Sequence, residues 1–159
     1  MNAATSKVKN PRLLDGKPMR IAGFRETYTQ QTMTGIPEQW RRFAPHIGKI
    51  AGQKSNVAYG VMLGAPGGFE YMTGVEVSAK SSTGGDFKEI RLPARKYAIF
   101  RHDGDVSTIW KTVDAIYQEW LPGSGHENAD KPKFIERYGE KFDPATASGD
   151  IEIWVPLKS

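Results

Sequence analysis

Two kinds of hydrophobic spacing run along this chain. Short stretches alternate apolar and polar residues, and two longer ones repeat every three to four positions. Met19 to Thr29 alternates and predicts a strand. Ile36, Trp40, Phe43, Ala44 and Ile47 then fall on one helical stripe, which opens at Ile36-Pro37, where proline suits the first turn. Pro45 lies inside that stripe and lacks an amide hydrogen, so the helix should stop or kink near Ala44. Val57 to Leu63 and Phe69 to Ala79 predict strands, joined as a hairpin by Gly64-Ala65-Pro66-Gly67-Gly68. A polar loop is expected over Ser81 to Asp86, a short strand over Phe87 to Arg91 and a firmer strand over Arg95 to His102. Asp105 or Ser107 is placed to cap the second helix. Its stripe is Ile109, Trp110, Val113, Ile116, Tyr117 and Trp120, and Leu121-Pro122-Gly123 stops it. After a polar loop from Gly123 to Lys133, Phe134 to Tyr138 predicts a strand. A loop over Asp143 to Gly149 leads to the last strand, Asp150 to Leu157. Residues 1–18 are polar, with turn signals at Asn10-Pro11 and Asp15-Gly16.

The order strand, helix, strand, strand occurs twice. Arg20 to Arg25 aligns with Lys96 to Arg101, and Gly74 to Val77 aligns with Asp150 to Ile153, both at a step of 76. The expected fold is therefore α+β: duplicated β-α-β-β units forming a long antiparallel sheet, two helices on one face and a central ligand groove. The expected organisation is an N-terminal extension over 1–18 and a single domain over 19–159, with repeats at about 19–79 and 95–155.

Phe134-Ile135-Glu136-Arg137-Tyr138 carries the most specific chemistry. Strand alternation puts Phe134, Glu136 and Tyr138 on one face and Ile135 and Arg137 on the other. A carboxylate between two aromatic rings is costly to ionise unless something compensates it. The bland alternative is a surface Glu paired with Arg137 or Lys133. At the step of 76, Phe134, Glu136 and Tyr138 correspond to Ala58, Gly60 and Met62. If both strands face the groove, the smaller residues of the first half leave room beside the carboxylate.

Composition narrows the function classes. The 159 residues are 38% hydrophobic and carry a net charge of +4, within the range of one ordinary globular domain. The cations are scattered and no helix-turn-helix or zinc finger is present, so direct nucleic-acid binding is not expected. No apolar run is long enough to span a bilayer, and the lysines of Met1 to Lys9 precede no apolar stretch. There is no cysteine, and a cytoplasmic location is expected. His46, His102 and His126 have no metal-ligand spacing. The hairpin glycines lack the Gly-Lys-Ser/Thr ending of a phosphate loop. His102-Asp103 reads as a strand end, since adjacent strand residues point to opposite faces. No Gly-x-Ser-x-Gly nucleophile elbow occurs.

Several motifs occur together in a fixed order: Ile36-Pro37-Glu38-Gln39-Trp40-Arg41-Arg42-Phe43, Tyr59-Gly60-Val61, Phe69 to Val77, Pro93 to Gly104, Ile116 to Pro122, Phe134 to Tyr138 and Ile151 to Leu157. In this the chain resembles the GyrI-like effector-binding domains, also described as AraC-type or multidrug-sensing domains. It is most similar to the stand-alone effector-binding proteins of integron cassettes. The likeness runs from about Met19 to Lys158, and Pro45 departs from it. The resemblance implies a duplicated β-α-β-β fold and a groove that takes lipophilic, often cationic, small molecules. A buried Glu and several aromatics contact the ligand there. It implies Glu136 as the ligand carboxylate.

Phe134 and Tyr138 share the Glu136 face, and Trp40, Tyr71 and Trp110 join them as ligand-contact candidates. Core packing is the alternative for each ring. Trp154 points to the opposite side of the sheet from Ile153. No cofactor is expected. A regulatory protein partner is left open, and the 18 residues before Met19 leave no room for a DNA-binding domain. Binding of a lipophilic, cationic aromatic compound is the first functional reading. The alternative is hydrolysis of reactive cyclopropane-containing compounds, with Glu136 and Tyr71 as the catalytic pair.

Overall fold

The structure, a computed structural model, describes residues 10–78, 86–129 and 131–158. Eight strands form one antiparallel sheet: β1 (Arg12–Gly16), β2 (Met19–Tyr28), β3 (Gln53–Ala65), β4 (Gly68–Val77), β5 (Lys88–Leu92), β6 (Arg95–His102), β7 (Phe134–Tyr138) and β8 (Ile151–Leu157). Their order across the sheet is β1-β6-β8-β7-β3-β4-β2-β5. The α+β expectation holds. Strands β2–β5 form one half of the sheet and β6–β8, with β1, the other, and the halves meet at the β3–β7 pair. The two outermost strands cross over: β1 pairs with β6 of the second half, and β5 pairs with β2 of the first.

Strand β1 differs from expectation, since residues 1–18 read as polar and turn-like. Leu13 and Leu14 are both exposed on this edge, so the strand shows no alternation of buried and exposed positions to find in the sequence. Main-chain pairing to β6 holds it. The expected Met1 to Lys9 segment, and the Ser81 to Asp86 loop except Asp86, fall outside the described residues.

The first helix, α1 (Ile36–Phe43), has Pro37 in its first turn and gives way to a 3₁₀ turn at Ala44–His46, as Pro45 requires. The second begins with a 3₁₀ turn at Val106–Thr108 and continues through α2 (Ile109–Ala115), a π-turn at Ile116–Trp120 and α3 (Leu121–Gly123). Neither expected cap residue bonds a backbone amide there. The Asp105 carboxylate instead accepts from the Ser107 hydroxyl at 2.6 Å.

Strand register shows which side faces the helices. One row of directly paired residues runs Ala22, Val75, Ala58, Tyr138, Ile151, His102 across β2, β4, β3, β7, β8 and β6. Phe43 of α1 packs with Ala22 and Val75, and Ile109 and Ile116 pack with Ala58, Tyr138 and Ile151. Both helices therefore cover the same face. The other face buries Ile21, Tyr59, Val61, Met72, Leu92, Tyr97, Ile135 and Trp154 in a core without any helical residue. The sheet must curl on itself to dry these side chains. Trp154 belongs here, with its ring centroid 5.2 Å from that of Tyr97.

The step between halves is not uniform. Ala22 faces Val75 and Ala98 faces Val155. If Ala22 matches Ala98 (98 − 22 = 76), then Val75 matches Val155 (155 − 75 = 80) and not Ile151. The connection from β7 to β8, residues 139–150, is longer than the Pro66-Gly67 turn between β3 and β4 and takes up the difference. A shift of four keeps every side chain on its face, which is why alternation alone does not reveal it. Among the described residues, no helix is long and apolar enough to cross a membrane.

Candidate functional site

The next row on the helix-covered face is Phe24, Thr73, Gly60, Glu136, Ile153, Phe100. Glu136 thus sits at the seam between the two halves, and only 8% of it is exposed. The surface alternative fails. Arg137 points to the other face, where it lies 3.6 Å from Glu152, and among the described residues no cation is paired with Glu136.

Two phenols hold the carboxylate. Tyr71 donates its hydroxyl to Glu136 Oε1 at 2.5 Å, and Tyr138 donates to the same oxygen at 2.9 Å. Trp40 Nε1 in turn donates to the Tyr71 hydroxyl at 2.9 Å. The Trp40 ring meets Tyr138 edge-on, with centroids 5.2 Å apart, and Phe142 also meets Tyr138 edge-on, at 5.1 Å. Burial pushes the Glu136 carboxyl above its ordinary value, and the two phenol hydrogen bonds partly oppose this. Burial, reinforced by the nearby carboxylate, pushes both phenols well above theirs. Tyr71 and Tyr138 are therefore protonated donors at neutral pH. Both bonds fall on Oε1, and among the described residues no hydrogen bond reaches Oε2.

Of the six candidate residues, the fold joins Glu136, Tyr71, Tyr138 and Trp40 in one network. Phe134 is two positions along β7 on the same face, opposite Met62, and is half-buried against the second-helix core. Trp110 is apart from them: it is 64% exposed on α2, with Lys111 Nζ 5.7 Å from its ring centroid.

Gln39 was not foreseen. It is fully buried under α1, accepts from the Tyr28 hydroxyl at 2.6 Å, and donates to the carbonyls of Phe24 and Tyr71, each at 3.0 Å. Its one sequence signal is its place on the Ile36–Phe43 stripe, where an apolar residue is the norm. His102 is also structural. Its Nδ1 lies 2.6 Å from the Thr112 hydroxyl and its Nε2 2.8 Å from the Asp105 carbonyl, tying β6 to the second helix.

Among the described residues, no group of three or more His, Cys, Asp or Glu side chains could hold a metal. A polar cavity of about 440 Å³ lies at the end of β6, beside His102, Asp105, Ser148 and Asp150. A second, of about 340 Å³, lies among Met19, Arg20, Lys54, Glu76 and Leu92. Neither adjoins Glu136. The Glu136 site is a buried carboxyl in an aromatic shell, with both phenol hydrogen bonds on one of its oxygens.

Known proteins place this geometry in context. The transcriptional regulator BrlR of Pseudomonas aeruginosa is 31% identical over 125 residues, which is 77% of this chain but 46% of that protein. The chain thus spans about half the length of that relative. SAV2435, solved bound to tetraphenylphosphonium, superposes with a TM-score of 0.76 at 20% identity, covering 95% of each chain. A putative bacterial transcription regulation protein from Staphylococcus aureus MU50 superposes at 0.69 with 23% identity, over 94% of this chain and 98% of that one. The integron cassette protein VCH_CASS2 of Vibrio cholerae gives 0.61 at 14% identity, over 95% and 97%. Residues 9–158 match the GyrI-like small molecule binding domain, and the chain belongs to that family.

Proposed function

We propose that this domain binds lipophilic aromatic cations at Glu136. The charge would be met by the free oxygen of the carboxylate, and the ligand's rings would lie among Tyr71, Tyr138, Trp40 and Phe134 in a groove between the two helices. One observation carries the reading: a buried carboxylate held by two phenols, with no cation paired to it among the described residues. A structural carboxylate would normally be matched by Arg or Lys, because an unmatched one destabilises the fold. The tetraphenylphosphonium bound by SAV2435 has the chemistry expected here, a delocalised cation wrapped in phenyl rings. Each aromatic face adds roughly 0.5–2 kcal/mol of attraction for a cation. Trp110 would lie at most at the rim of such a site.

Calorimetric titration with tetraphenylphosphonium tests this. Saturable binding quenched by acid is expected, and no binding at millimolar ligand would refute the reading. Recovery of the ligand unchanged after incubation separates binding from hydrolysis. A regulatory protein partner fits the kinship with BrlR, and the scattered surface cations favour acting without direct nucleic-acid contact.

A further inference from the structure

We infer that Gly60 is the specificity-determining residue of the Glu136 site, an inference that rests on the cation-binding reading above. Tyr71 is on β4 and Glu136 is on β7, and β3 runs between them. Their side chains can meet only by crossing over β3. Neighbouring strands are about 4.8 Å apart, so the Tyr71 ring spans most of two inter-strand gaps to reach the carboxylate. The crossing point is Gly60, which lies directly opposite Glu136 on one side and opposite Thr73, two residues from Tyr71, on the other.

A Cβ at position 60 would collide with the Tyr71 hydroxyl and would stand 2.8 Å from Tyr71 Cζ and 2.6 Å from Glu136 Oε1. These neighbours cannot easily yield. The Tyr71 ring is fully buried, its hydroxyl accepts from Trp40 and its carbonyl accepts from Gln39. Any side chain at position 60 therefore separates Tyr71 from Glu136. Losing that donor raises the carboxyl pKa further, and the site then holds less negative charge at neutral pH. Gly60 thus sets the charge offered to a ligand, while the aromatic walls remain.

The experiment compares wild type, Gly60→Ala, Tyr71→Phe and Gly60→Ala/Tyr71→Phe for thermal stability and for tetraphenylphosphonium affinity across pH. Gly64→Ala is the control, because a Cβ there meets only Lys133 Cε at 3.5 Å. Gly60→Ala is expected to lower Tm by several degrees, by about 5 °C or more. It should also weaken cation binding about tenfold or more and move the pH midpoint of binding upward. Removing the Tyr71 hydroxyl removes the atom the new methyl meets most closely, while Cζ and Glu136 Oε1 remain, so the double variant should recover part of the lost Tm, towards that of Tyr71→Phe, and match Tyr71→Phe in affinity. If Gly60→Ala does not fold, the double variant must still fold. A double variant no better than Gly60→Ala, or a Gly60→Ala as benign as Gly64→Ala, would overturn the inference. Tm needs no ligand, so rescue without any cation binding would leave the Gly60 geometry standing and refute the functional reading alone.

Discussion

The Tyr71 hydroxyl lies 2.5 Å from Glu136 Oε1, across an intervening strand, and also accepts the indole hydrogen of Trp40. This phenol both props the carboxylate and satisfies the tryptophan. Tyr71→Phe removes one of the two hydrogen bonds that favour the ionised carboxyl and leaves Trp40 Nε1 without its acceptor. Stability should fall by about 1–2 kcal/mol. Urea denaturation measures this, and an unchanged midpoint would mean that the phenol does not support the network.

Gln39 fixes α1 to the strand that carries Tyr71. Gln39→Leu keeps the volume but leaves the Tyr28 hydroxyl and the carbonyls of Phe24 and Tyr71 short of a partner. A loss of about 2–3 kcal/mol is expected in the same denaturation experiment. Trp40 is the next residue on α1, so the indole fluorescence should shift as well. A variant with wild-type stability and emission would show that α1 is held by its apolar stripe alone.

His102 is expected to matter for stability and not for the ligand. Its two ring nitrogens are taken by Thr112 and Asp105. His102→Leu should destabilise the protein by roughly 1–3 kcal/mol and leave tetraphenylphosphonium affinity unchanged. A specific loss of affinity in a folded variant would place the ligand near the end of β6 and contradict the site at Glu136.

The two helical stripes, the hairpin within Gly64 to Gly68 (tightened in the structure to a turn at Pro66-Gly67) and the carboxylate of β7 were legible in the sequence because each follows from local pattern. Glu136 could be assigned to the inner face because alternation fixes the parity of a strand. Strand β1 was not legible, since its leucines stay exposed and its order comes from pairing with a strand far along the chain. The same holds for Tyr71 reaching Glu136. No local pattern tells that β7 lies beside β3, or that Gly60 marks the crossing. Trp110 fits the helical stripe, yet the fold leaves it 64% exposed on α2. The π-turn that follows at Ile116–Trp120 changes the spacing on which such a stripe depends.

Glu136 should also leave a mark on stability against pH. Burial holds its folded pKa above the ordinary value of 4.5. The folded protein then binds this proton more tightly than the unfolded chain does. The resulting stabilisation is complete below the unfolded pKa and is lost as pH rises through the folded one. Glu136→Gln cannot lose it. The variant should match wild type near pH 4 and be the more stable protein above the folded pKa of Glu136. Melting curves from pH 4 to pH 8 decide this, and parallel profiles would show that Glu136 titrates as an ordinary surface carboxyl.

Cation binding should therefore be coupled to proton release. In the empty site, burial favours the protonated carboxyl, while a bound cation favours the ionised form. Near the empty-state pKa, each cation that binds should expel a fraction of a proton, and affinity should fall as pH drops through that value. Titration calorimetry in buffers of different ionisation enthalpy reads the proton count directly. Glu136→Gln keeps the acceptor for both phenols and removes the charge. It should abolish proton release and weaken tetraphenylphosphonium by roughly 1–3 kcal/mol, about 5- to 150-fold, with little effect on a neutral ligand of the same shape. Equal losses for both ligands would mean that Glu136 only shapes the walls. Unchanged affinity for both would remove it from the site altogether. Loss confined to the cation, with its proton release, is the outcome expected of a carboxylate whose charge is completed by the ligand.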